Sequence, residues 1–404
     1  MTARTLHIHD TPALTVTILA SPEPDDAQRL DRLRRLTDFL ALDPRNARLL
    51  RDCAHEAVRA RRFDTAVGTV RRLQLLNEER VADRLVLVAA LRGAGRADEA
   101  EAELDEASVR WPGEAGIALE RARGWCEAGD VERALRALTA FDPLERAGPR
   151  AGAVCALRVR LLHHLDRLEE AAAAAESFTA RYGVDEELEA NLLAVLVDAS
   201  RLEEALPRAL GLVARSEAAG HPFPYAAAEP LALAALHEGR IESARAWTDR
   251  ALAQRDDDGR MWLLRGLVHL LEGATVDAVG ALERSVAALP RHAGSRVALG
   301  WAELMRGERA RARQAFTEAL QASPSFAEAH GSLAVVEALD RRSEPARDAI
   351  RRAEGLQPGN AAAGLAAALL EERCTEAEVA RLARLVLLRS RPRSAALGGA
   401  LRPA

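Results

Sequence analysis

Nine alanines set the terms on which this chain can fold. Ala66, Ala100, Ala134, Ala171, Ala205, Ala244, Ala278, Ala312 and Ala346 follow turn-and-acid signals such as "GRADEA", "GDVERA", "GRIESA" and "GERARA". Their successive spacings are 34, 34, 37, 34, 39, 34, 34 and 34 residues. A fixed period of this length marks a stacked array, in which each unit is one supersecondary element that buries its apolar face only against its neighbours. The two longer gaps read as short insertions, one near Pro149 and one at "GHPFP", Gly220–Pro224.

Within a period the apolar residues fall at helical spacing in two stretches joined by a turn. Glycine stands at many of these turns, as at Gly95, Gly129, Gly239, Gly273 and Gly307, where a helix C-terminus favours a left-handed residue. Prolines close many periods, because proline stops the second helix and is tolerated in the next entry turn. Two helices that cross closely need small residues at the crossing, here Gly266, Gly300 or Ala334 in the first helix and the period alanine in the second.

The clearest copy runs from Ala293 to Phe326, with Leu299, Gly300, Ala312, Phe316, Ala319 and Pro324 in the pattern. Trp262, Gly266, Ala278, Leu282 and Pro290 repeat it one period earlier; Leu333, Ala334, Ala346, Ile350, Ala353 and Pro358 repeat it one period later. A fourth copy holds Leu87, Ala100, Leu104, Ala107 and Pro112. These residues resemble the tetratricopeptide repeat over nine copies from residue 47 to 360, five of them keeping little beyond the alanine and the helix rhythm. The resemblance implies an all-α fold, a right-handed superhelical α-solenoid of about nine to ten helix-turn-helix repeats.

On that frame residues 1–24 are expected as an N-terminal arm or small hairpin, and 25–46 as a capping helix. Repeats one to five occupy 47–219, an insertion 220–224, and repeats six to nine 225–360. A C-terminal capping helix pair takes 361–390 and a flexible tail 391–404. No apolar run approaches the ~20 residues of a membrane span. The stretch "PALTVTILASP" is short for a signal core, is interrupted by Thr15 and Thr17, and follows His7, His9 and Asp10 rather than a basic segment.

Composition narrows the chemistry. A net charge of −5 gives no global pull toward nucleic acid or anionic membrane. All 56 basic residues are arginine, which fits codon bias in a GC-rich bacterial genome and removes every lysine-dependent catalytic device. Cys53, Cys126, Cys155 and Cys374 are scattered, form no zinc spacing, and read as small apolar residues of a reducing, cytoplasmic setting. The pairs His7/His9 and His163/His164 lack a third ligand, and "RDDDGR" lacks the alternating ligands of a calcium loop. The arginines of the tail, Arg389, Arg391, Arg393 and Arg402, have no aromatic platform beside them. The expectation is no catalytic residue, no metal, no cofactor and no enzyme activity.

The family resemblance implies that the first helix of each repeat, helix A, lines an inner groove through positions 2, 5, 6, 9, 12 and 13. Read at those positions, the first four repeats are polar and rich in cations: Arg48, Arg51, His55 and Arg59, then Arg123, then Arg160 and His164. Repeats seven and eight are apolar: Leu263, Leu267, Leu270 and Leu271, then Val297, Trp301, Leu304 and Met305. "MWLLRGLVHLL", Met261–Leu271, is apolar nearly all round, so something must cover more than one of its sides. Three covers are open: the neighbouring A helices, a partner's segment, or a second copy of the chain. The reading is a protein-interaction scaffold, adaptor or chaperone-like, that binds a protein or peptide partner in this groove; the alternative is an assembly subunit that self-associates through the apolar patch. The family's carboxylate-clamp pattern is not matched, since it needs lysine and Arg51 followed by His55 is only a loose echo.

Overall fold

A computed structural model describes residues 26–141, 144–375 and 378–379. The expected arm at 1–24, nearly all of the second C-terminal helix, and the tail at 391–404 lie outside them. Among the described residues there are twenty α-helices, two short 3-10 turns and no strand. They fall into two compact units, one ending at Leu188 and one beginning at Glu189.

The first unit opens with α1 (Asp26–Leu42). It continues with the pairs α2 (Ala47–Arg59) and α3 (Phe63–Leu75), α4 (Val81–Gly93) and α5 (Ala97–Arg110), α6 (Ala115–Glu127) and α7 (Val131–Thr139), and α8 (Ala151–His164) and α9 (Leu168–Tyr182). A 3-10 turn at Leu144–Arg150, kinked at Gly148 and holding Pro149, takes up the longer spacing before α8. After α10 (Glu186–Asp198), the second unit holds α11 (Leu202–Ala218), α12 (Ala228–His237) and α13 (Ile241–Leu252). It continues through α14 (Gly259–Glu272), α15 (Thr275–Ala288), α16 (Ala293–Met305), α17 (Arg309–Ala322), α18 (Ala327–Leu339) and α19 (Ser343–Leu356) to α20 (Ala361–Leu370).

All nine period alanines are completely buried. They mark where helix B, the second of each pair, crosses the A helices. The small residues opposite them do the matching work: a Cβ built on Gly300 would lie 2.4 Å from the Phe316 ring, and one on Gly266 would lie 2.5 Å from Leu282. So α16 and α17 meet with a bare backbone under an aromatic ring, and α14 and α15 with one under a leucine.

Local signals fix the helix starts. Asn46 Oδ1 accepts from the amides of Arg48 and Leu49 at 3.1 Å, and Asp258 Oδ1 from those of Arg260 and Met261 at 2.8 and 3.2 Å. The A-to-B turns use a left-handed residue throughout, glycine in five repeats and Arg61, Asp166, Ser200 and Arg341 in the other four. The sixth repeat departs from the expected pattern. Its segment from Tyr225 starts as a 3-10 turn, Tyr225–Ala227, and the α-helix begins only at Ala228. Pro230 then falls in the first turn, where a missing N–H costs nothing. Ahead of it, Phe223 of the insertion stacks on Trp247, with Arg250 over both rings.

Candidate functional site

The apolar stripe of repeats seven and eight is internal. In the second unit α16 lies between α14 and α18. On one side Ala298 and Ala302 join Leu264, Leu267, Val268 and Leu270. On the other, Val297, Trp301 and Leu304 join Ala334 and Val335. Trp301 is 1% exposed; its Nε1 donates to Ser332 Oγ at 2.9 Å and its ring meets Phe316 edge-on. Leu267, Leu270, Val297 and Leu304 are buried as well, while Leu263, Leu271 and Met305 are half-buried against the same clusters. This corrects the expectation of an open apolar groove. The cover that "MWLLRGLVHLL" needs is supplied by adjacent A helices, because Ala298 and Ala302 on one side and Gly331, Ser332 and Ala334 on the other are small enough to let large neighbours in.

The cationic stripe lies in the first unit and is not uniform. Arg48, His55 and Arg59 are exposed. Arg51 is already engaged: its Nε donates to both carboxylate oxygens of Asp83, at 3.0 and 3.2 Å, and its Nη2 to the Glu78 carbonyl at 2.5 Å. Arg123 pairs with Glu120 on its own helix, yet its buried Nε has no acceptor. Arg160 on α8 is half-buried, and its Nε also has no acceptor. Burial lowers its basicity, the carboxylate of Glu187 works against that, and the like charge of Arg123 adds to it. His164 is half-buried and interacts within the chain.

Reading the groove positions missed several residues that the structure brings together. Arg92 on α4 donates to the Glu120 carbonyl at 2.5 Å and lies 3.5 Å from its carboxylate. It crosses α6 over Gly124, where a Cβ would stand 2.2 Å from Arg92 Nη2. Arg92 occupies position 12 of repeat two, so the register rule could have found it; the need for Gly124 beneath it is visible only once α4 and α6 are paired. Arg84, 5% exposed, ties Glu79 of its own entry turn to Glu103 and Glu106 of α5. Burial alone would weaken that guanidinium's hold on its proton, but the carboxylates outweigh it and raise its basicity. Glu79 is held below the usual carboxylate range, burial pushing it up and Arg84 more than reversing that.

In the second unit Arg260 reaches Asp198 at 2.9 Å and Glu229 at 3.4 Å, and the Tyr225 hydroxyl bonds Asp258. Burial pushes the Glu229 carboxyl above its ordinary value; Arg260 opposes the shift, and Asp198 and Asp258 add to it. Among the described residues, no group of three or more His, Cys, Asp or Glu could hold a metal ion, and no helix is long and apolar enough to cross a membrane.

A tetratricopeptide-repeat family model matches residues 194–258, 249–293 and 297–361. No curated protein matches the chain. Among solved structures it is similar to a tetratricopeptide repeat protein from Parabacteroides merdae, at 17% identity and TM-score 0.44, over 63% of this chain and 96% of that one. It is similar to YrrB, described as a TPR protein with an unusual peptide-binding site, at 19% identity and TM-score 0.35, over 48% and 98%. It is also similar to human IFIT1, solved as a dimer with PPP-AAAA, at 15% identity and TM-score 0.48, over 76% and 77%. The fold of this family suggests a protein-interaction scaffold, and its members are typically non-enzymatic interaction modules. The family match identifies the two-helix repeats of residues 194–361 as tetratricopeptide repeats.

Proposed function

We propose that this protein is a non-enzymatic scaffold of the cytoplasm that holds a segment of a protein partner along the A helices of repeats one to four. The observation that carries this reading is the contrast between the two stripes. The apolar stripe of repeats seven and eight is consumed by the array's own packing, with Trp301 1% exposed. The stripe of the first unit keeps Arg48, His55 and Arg59 in solvent. Exposed arginines set in a rigid helical frame favour polar partner contacts, which they steer electrostatically and fix by forked hydrogen bonds. Self-association through the apolar stripe loses its support, because that stripe offers little surface.

The test is affinity capture with the full-length chain from cells of its source, comparing wild type with a chain carrying Arg48→Glu, Arg59→Glu and Arg123→Glu. The expected outcome is a specific partner recovered by wild type and lost by the variant at equal helicity. Recovery of the same partner by both chains sinks the assignment of the stripe. Failure of the wild type to recover any specific partner sinks the scaffold reading.

A further inference from the structure

Nine residues past the period alanine, each B helix turns a side chain to solvent. In repeats four to nine that position is exposed and holds Ala180, Ala214, Ala253, Ala287, Gln321 and Gly355. Small or polar residues suit an open helix surface. The first two repeats differ: the position holds Leu75 on α3 and Val109 on α5, 82% and 85% exposed. Leu42 in the last turn of α1, nine residues past the buried Leu33, is 84% exposed. Among the described residues these are the three most exposed large apolar side chains.

The three helix ends are neighbours. Arg72 of α3 donates to the Pro44 carbonyl at 2.6 Å, which ties α3 to the exit of α1. Arg110 of α5 lies 3.1 Å from the Glu79 carboxylate, which ties α5 to the exit of α3. Exposed leucines scattered singly need no explanation; three in register on such helices make an apolar stripe.

The sequence ahead of α1 carries a matching pattern. Leu6, Ile8, Leu14, Val16 and Ile18 all stand at even positions, with Thr5, His7, His9, Thr15 and Thr17 among the odd ones. Ala13 and Leu19 depart from the alternation at the edges of the second run. A period of two puts the five even side chains on one side of an extended chain. The reach is sufficient. α1 has 17 residues, about 25 Å at the rise of a helix. The eight residues from Ile18 to Asp26 span about 26 Å when extended, and Pro22 and Pro24 favour extension. Running back along α1, the segment would bring Ile18 to Leu42 and carry Val16, Leu14 and the residues before them across the ends of α3 and α5.

We propose that residues 6–18 strap the C-terminal ends of α1, α3 and α5, with their even-numbered apolar side chains on Leu42, Leu75 and Val109. The place of the stripe favours this cover over a second copy of the chain. The large apolar residues sit on the helices that residues 1–25 adjoin, and not at the equivalent exposed positions further on. The strap leaves Arg48, His55 and Arg59 of α2 in solvent, so the inference stands apart from the partner reading.

The experiment uses full-length chains: wild type, a stripe variant (Leu42→Ser, Leu75→Ser, Val109→Ser), a segment variant (Leu14→Ser, Val16→Ser, Ile18→Ser) and the two combined. Circular dichroism checks each fold; if the stripe variant loses helicity, Leu75→Ser alone takes its place. Limited chymotrypsin cleavage after Leu19, read by mass spectrometry, reports how often the segment lifts away, and a free peptide of residues 10–26 sets the unprotected rate. Wild type should be cut more slowly than the peptide. The stripe variant should be cut about tenfold faster than wild type, since burial of even one aliphatic side chain is worth about that factor. Val16→Asp should release the segment as the stripe variant does, and Thr17→Asp, on the opposite side, should not. Urea midpoints of the stripe and segment variants should both fall below wild type. The combined variant should fall no further than either, because both remove the same contact.

Equal cutting of wild type and the well-folded stripe variant overturns the proposal, as do midpoint losses that add in the combined variant. Equal effects of Val16→Asp and Thr17→Asp overturn the even-sided docking. Light scattering that finds wild type a dimer and the stripe variant a monomer overturns the strap in favour of a second copy.

Discussion

Trp301 is held by a neighbour 31 residues further on: its Nε1 donates to Ser332 and its ring sits on Phe316. Trp301→Ala should therefore cost stability, about 3–5 kcal/mol as for other buried aromatic truncations, and leave partner capture unchanged at temperatures where the variant stays folded. Urea unfolding of the full chain measures the first, and capture the second. A loss of capture without a loss of stability would show that the tryptophan faces a partner after all. The sequence already separates Trp301 from the residues that pack inside its own repeat, and stops there. Its partner Ser332 belongs to the next repeat, and a pattern read position by position within one repeat holds no information on what the next one offers. The same limit hides the path of Arg92 across Gly124. Arg84 is the polar counterpart. Arg84→Ala leaves Glu79 and Glu103 buried with only the more exposed Arg110 and Arg71 beside them, and should destabilise the first unit by less than the about 3–5 kcal/mol of a buried charge left alone. Because Glu79 is held below the usual carboxylate range, its share of that stability is present at neutral pH and lost as the solution is acidified through the ordinary value toward the folded one. The wild-type advantage over Arg84→Ala should thus shrink in acid; an advantage that is unchanged on acidification would refute the pairing.

Helix starts are legible in the sequence because their causes are local. Asn46 and Asp258 cap the helices that follow them with their own side chains, and the period sets where each pair begins. The start of α12 escapes this reading because Phe223, brought by the insertion, finds Trp247 on the following helix. Turns carry a second lesson. Arg341 and Arg61 take the left-handed conformation that glycine supplies in five other repeats. Arg341→Gly and Arg61→Gly should each raise stability, by about 0.5–1 kcal/mol, since the backbone penalty at positive φ exceeds the entropy that glycine adds to the unfolded chain. A drop in the unfolding midpoint of either variant would mean that these arginine side chains hold the turn. Between α12 and α14, Glu229 has a carboxyl raised above its ordinary value. The folded chain therefore keeps that proton over a range in which the unfolded chain has lost it, and stability falls as pH rises through that range. Glu229→Gln removes the titration, so its stability relative to wild type should grow from about pH 4 upward. Chemical denaturation at several pH values measures this; a flat difference rules it out.

Repeat arrays hold together by a sum of unit and nearest-neighbour terms, so damage stays near its origin. Gly300→Ala drives a Cβ into the Phe316 ring and should cost about 1–3 kcal/mol. By hydrogen exchange, protection should fall in α16 and α17 and hold in α4 and α5. Uniform loss along the chain would show that the two units unfold as one. One contact departs from nearest-neighbour order: Arg260 reaches Asp198 across 62 residues, past an entire repeat, while also meeting Glu229 within it. That bridge bears on descent. An array of this kind lengthens or shortens most simply by copying or dropping one period. Dropping the sixth, residues 225–258, would remove Glu229, Tyr225 and Asp258 together and set α14 directly against α10 without the side chain that caps its start. Inserting a copy would carry Arg260 out of reach of Asp198. Single-period gain or loss should thus cost more at this stretch than where contacts stop at the next repeat, so kin of different lengths should tend to share repeats five to seven in unbroken order.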